Sequence, residues 1–161
     1  MSIEKSRQSL ALGVVAAAIF VPLVGVVIYF ALSEVGIITS PGEFNDAVEH
    51  KQAINCEITE PNGRKSLLQT NKDFHMVKLV IESTDGSKMK QHVLKAPNGV
   101  FIWSEDGSTA IKSQDDGFVD MMINDIDRNV AAGAALSCES PTMVSFTVPN
   151  YKFVEANPEG Q

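Results

Sequence analysis

Residues 74–104, FHMVKLVIESTDGSKMKQHVLKAPNGVFIWS, decide the fold of this chain. Val77, Leu79 and Ile81 alternate with Met76 and Val80, so Phe74–Glu82 is a strand with apolar side chains on both sides, and both of its faces are covered. Asp85-Gly86 is a hairpin turn and Lys88–Lys95 returns. Pro97-Asn98-Gly99 turns again, Val100–Ser104 follows, and after Asp106-Gly107 a further strand covers Ser108–Ser113. Working back, Pro61-Asn62-Gly63 separates strands at Ala53–Thr59 and Lys65–Thr70. Short hairpins make neighbours in sequence neighbours in the sheet, so about six strands form a curved antiparallel meander.

Helices flank the meander. Ser40-Pro41-Gly42-Glu43 combines an N-cap serine, a proline at the first helical position and the glutamate of a capping box. Phe44, Ala47 and Val48 then share one face, and the helix ends near Lys51 or Gln52. Phe118–Leu136 reads as a second helix, with Phe118, Met122, Ile126 and Val130 (beside Val119 and Ile123) in a stripe. Met143–Val148 is a last strand, extended by Tyr151–Val154.

Upstream, Leu10–Leu32 contains no charged residue, His, Asn or Gln. As a helix it reaches roughly 35 Å, enough to cross a hydrocarbon core of about 30 Å. Lys5 and Arg7 precede it and no Lys or Arg follows until Lys51, which puts the N-terminus in the cytoplasm and the rest outside. A cleaved signal peptide is the competing reading, with Ala31-Leu32-Ser33 as the cleavage site, against a run longer than the usual apolar region. The expected organisation is a cytoplasmic tail at 1–9, a transmembrane helix at 10–32, a spacer at 33–40, a periplasmic or extracellular domain at 41–154 and a tail at 155–161. The fold class is α+β: a single transmembrane helix, then a curved, half-barrel-like antiparallel sheet with one or two packed helices. The lipid bilayer is the partner of residues 10–32.

The chain carries a net charge of -7, and the part after the apolar run holds 11 basic and 19 acidic residues, so nucleic acid is excluded as a partner. Cys56 and Cys138 stand 82 positions apart and are the only cysteines. An even pair in an oxidising compartment reads as one structural disulfide.

No catalytic motif is present: there is no Gly-x-Ser-x-Gly, no His-Glu-x-x-His and no phosphate-binding glycine loop. The expectation is a protein that is not an enzyme and has no cofactor. His75 and His92 fall on adjacent strands, but further ligands are missing, so no metal is assigned. Asp115, Asp116, Asp120, Asp125 and Asp127 lack calcium-loop spacing and read as a solvated helix whose first acids favour its positive end. The seven basic residues between Arg64 and Lys95 read as a solvent face with edge-protecting lysines, the alternative being a docking patch. Phe101, Trp103, Val80 and Met76 form the candidate face for an apolar ligand or a partner, with Phe101 and Trp103 also read as core.

The order of exported helix, cysteine-bearing strand, hairpin meander, late helix, second cysteine and terminal strand resembles small bacterial envelope proteins with a half-barrel related to lipoprotein-carrier (LolA/LolB-like) domains. The residues concerned are His92-Val93-Leu94, Val100-Phe101-Ile102-Trp103, Asp106-Gly107, and Cys138 with Phe146-Thr147-Val148-Pro149, within residues 41–154. The resemblance implies an incomplete barrel over a helix, with a hydrophobic concave face. A membrane-anchored, extracytoplasmic, non-enzymatic protein follows as the expected function, binding a hydrophobic ligand such as a lipid, or another envelope protein. The alternative is a structural or assembly subunit of an envelope complex with no ligand cavity.

Overall fold

The structure, a computed structural model, describes residues 37–82 and 90–156, all within one compact unit. The first helix, α1 (Pro41–Glu49), starts at Ser40 with its capping box formed: Glu43 N–H donates to Ser40 Oγ and Ser40 N–H to the Glu43 carboxylate. The strands are β1 (Ile54–Thr59), β2 (Lys65–Thr70), β3 (Val77–Glu82), β4 (Lys90–Ala96), β5 (Gly99–Ser104) and β6 (Ala110–Ser113). Then come α2 (Gly117–Ala131), β7 (Ala135–Cys138) and the two-residue β8 (Val154–Glu155).

Residues β1 to β6 pair as successive antiparallel neighbours, as their short connections require. The Asp85-Gly86 turn lies outside the described residues. The sheet order is β7-β1-β2-β3-β4-β5-β6-β8, and β8 runs parallel to β6. This corrects the expected half-barrel-like, wholly antiparallel sheet: the sheet is open and mixed, with β7 and β8 at opposite edges. The other correction concerns placement. The run 10–32, together with residues 1–9, lies outside the described residues. No helix among those described is long and apolar enough to cross a membrane. The expected single-pass protein, N-terminus cytoplasmic and domain outside, is therefore not supported.

Period-two alternation sorts the side chains. Cys56, Leu68, Leu79, Val93 and Ile102 occupy one cross-strand row on the first face. The two helices cover this face, and Phe44, Ala47, Val119, Ile123, Ile126 and Val130 pack between sheet and helices as the main core. Val93 and Leu94 are adjacent and both fully buried, so β4 is covered on both sides, as read from the sequence for its neighbour β3.

The second helix stops earlier than its composition suggests. Gly133 takes φ +99°, its N–H bonds the Val130 carbonyl, and the Ala134 N–H bonds the Asn129 carbonyl. That reversal is a glycine-dependent C-cap. It releases Ala135–Cys138 to pair with β1, where the sequence reads continued helix to Leu136. Cys138 lies directly opposite Cys56, and the expected disulfide is formed. Met143–Val148, expected as a strand, is a 3-10 turn over Pro141–Met143 followed by extended chain without ladder partners.

Candidate binding face

The second face of the sheet is built by the other half of each alternation. One cross-strand row runs Leu67, Val80, His92, Trp103. The next runs Gln69, Lys78, Leu94, Phe101. Where these rows reach β4 and β5, neither α1 nor α2 packs on them. The C-terminal chain lies there instead, and Phe146, Val148 and Phe153 pack on Leu94, Phe101 and Trp103. Phe153 stands edge-on to Phe101 at 5.2 Å and to Trp103 at 6.3 Å between ring centroids, an arrangement favoured by aromatic quadrupoles.

His92 stacks on Trp103 with ring centroids 5.1 Å apart and planes 3° from parallel. Burial holds its imidazole below the ordinary pKa, only partly offset by Glu105. Its Nδ1 is buried and has no hydrogen-bond partner among the described residues. A neutral ring stacked on indole belongs to the apolar row rather than to a proton-transfer pair.

Of the four residues expected on an apolar face, Phe101 and Trp103 are there but buried under the C-terminal chain. Val80 stands half-buried beside His92 in the Trp103 row. Met76 does not join them: it precedes β3, its backbone held in the 71–76 loop by Asn71.

Toward β7 the same face opens into a cleft of about 600 Å³. Leu67 provides an apolar wall, Asn55, Gln69, Ser137, Ser140 and Thr142 provide amides and hydroxyls, and Glu57, directly opposite Leu67, and Glu139 add carboxylates. Gln69 donates to Asn55 Oδ1 at 2.9 Å, which aligns the two amides across β1 and β2. Such a lining can satisfy the polar backbone of an extended chain while Leu67 receives a side chain.

A second cleft, about 530 Å³, lies where the 71–76 loop meets the start of α2. Lys95 dominates it, 2.9 Å from Asp116 and 3.7 Å from Asp120. The Asp116 hydrogen bond raises the Lys95 pKa and in return lowers that of Asp116. Asp73 and Phe74, on its wall, have φ +63° and +56°. Lys95 is thus neutralised within the cleft by Asp116 and Asp120, while Lys51 and Asp73 also line it.

His75 lines this cleft, whereas His92 stands opposite Val80 in mid-strand, so the structure does not bring the two histidines together. Among the described residues no group of three His, Cys, Asp or Glu could hold a metal ion. The aspartates have separate tasks. Asp115 accepts the Gly117 N–H, Asp116 and Asp120 pair with Lys95, and Asp125 pairs with Arg128. Ser104 donates to Asp106 at 2.6 Å, holding that carboxyl near pKa 2 and tying the β5–β6 turn rather than forming a nucleophile–base pair.

The residues missed from sequence are Leu67 and His92, which complete the row, and Phe146, Val148 and Phe153, which cover it. The signal for the cover was present as the alternation Phe146, Val148, here without strand partners. Compared with family models, curated proteins and solved structures, the chain matches none.

Proposed function

We propose that this domain is a non-enzymatic protein-binding module whose second sheet face receives an extended partner segment with apolar residues at alternate positions. The supporting observation is that this face docks extended chain already: Phe146 and Val148, two residues apart, pack on it without ladder pairing. The cleft beside Leu67 continues the same surface. An enclosed site for a hydrophobic small molecule has less support, since Phe44, Val119 and Ile123 fill the space between sheet and helices.

Peptide-display selection against the full chain tests this reading. Enriched peptides should alternate apolar and polar positions. Leu67→Glu should weaken them at least tenfold, about 1.4 kcal/mol, with far-UV circular dichroism unchanged. Enrichment that ignores Leu67→Glu, or no enrichment, refutes the proposal.

A further inference from the structure

We infer that residues 144–156 are a displaceable self-ligand, occupying half of the face that a partner segment would use. The inference rests on the binding reading above and adds its regulation and the chemistry of the partner. Side-chain burial supplies the hold: Phe146, Val148 and Phe153 sit on Leu94, Phe101 and Trp103. Backbone bonding supplies little. Among the described residues, no backbone hydrogen bond joins 144–153 to the sheet. Pro149 has no N–H to give. Among the described residues, the covalent and backbone ties of the segment lie near its two ends. Upstream, Cys138 is bridged to Cys56; downstream, β8 makes two residue pairs with β6, supported by the Ala156 N–H to the Lys112 carbonyl and a Lys112–Glu155 ion pair at 2.8 Å.

Releasing the segment therefore breaks two pairs of a parallel edge and uncovers Leu94, Phe101 and Trp103, leaving every antiparallel ladder intact. The Trp103 row continues through His92 to the half-buried Val80 and Leu67, with Lys78 beside Leu94, so a partner entering from the open cleft would cross Val80 and His92 to reach those side chains. The segment states what such a partner looks like: an extended chain with an aromatic, a β-branched residue two positions on, and a second aromatic five beyond that. A tethered competitor of this kind acts at an effective concentration in the millimolar range, so it suppresses weak partners and yields to strong or multivalent ones.

The test uses the full chain, whose single tryptophan is Trp103, excited selectively at long wavelength. A synthetic peptide of residues 144–156 is titrated into the native protein and into Phe146→Ala/Phe153→Ala. The double variant should show red-shifted emission, bind the peptide at least tenfold more tightly than the native protein, and recover the native emission on saturation. Equal or absent binding to both proteins overturns the inference. Should the double variant lose cooperative unfolding, Val148→Ala is titrated in its place. It should gain affinity for the peptide over the native protein; loss of cooperative unfolding there too, or unchanged affinity, makes the segment integral to the fold and overturns the inference. Failure here with Leu67-dependent display binding intact removes the self-ligand and leaves the binding module. Peptide binding here without any selected partner does the opposite.

Discussion

Reducing the Cys56–Cys138 bond should destabilise the domain more than any exposed substitution. The two residues face each other at the end of the β1–β7 ladder, which has four residue pairs, and the bond spans a sequence separation of 82. For a closed loop of about that length the chain-entropy relation gives roughly 15 cal/mol/K, or about 4.5 kcal/mol at 25 °C, as an upper figure, with 2–4 kcal/mol the common range. With a urea dependence of about 2 kcal/mol/M, the midpoint should fall by roughly 1–2 M. Reduction is a cleaner perturbation than Cys56→Ala, since Cys56 is fully buried and alanine would add a cavity term. Oxidised and reduced protein are unfolded side by side in urea, following Trp103 fluorescence and far-UV circular dichroism, with alkylation confirming two free thiols. Midpoints agreeing within about 0.3 M would refute the reasoning, because the β7 edge would then be held by its ladder alone.

Leu79→Ala removes a fully buried side chain from the central strand β3 and should cost about 2–5 kcal/mol in urea unfolding. Gly99→Ala places a Cβ 2.7 Å from the Ser113 carbonyl oxygen at φ +125°, so it should cost well over about 1 kcal/mol and shift amide signals on both sides of the β5–β6 pair. Lys51, one residue past the α1 C-cap His50, has φ +50°, a conformation that L side chains adopt at a cost of about 1–2 kcal/mol; Lys51→Gly should raise stability by several tenths to about 1 kcal/mol, and a lowered thermal midpoint would contradict this. His92, with its folded pKa held below 6.5 by burial, is protonated first in the unfolded chain, so its contribution is present above pH 6.5 and lost as pH falls from there toward the folded value. His50 has the opposite sign, its pKa raised by the Asp46 carbonyl, so the pH series is run in a His50→Ala background. There, His92→Gln should flatten the slope, and an unchanged slope would exclude His92 as its source.

Local chemistry made much of this domain legible in the sequence. Ser40 to Glu43 states a helix start because the capping box is completed within four residues. Asn62-Gly63, Asn98-Gly99 and Asp106-Gly107 state reversals because each glycine takes positive φ. Alternation in Val77–Ile81 separates the two faces, and the cysteine pair follows from there being two and no other. These readings need no knowledge of what lies across space. Tertiary structure decided the rest. Residues 132–136 have helical composition, yet Gly133 ends α2 after Ala131 and the exposed edge of β1 takes up Ala135–Cys138 as a strand, because an edge ladder offers backbone partners that a further helical turn would not use better. Phe146 and Val148 alternate like a strand but find no ladder, since the side chains of β4 and β5 meet them face-on. Whether Phe101 and Trp103 were core or surface depended on that single docking event, and a pattern of period two cannot tell a face that the chain covers itself from a face left for a partner.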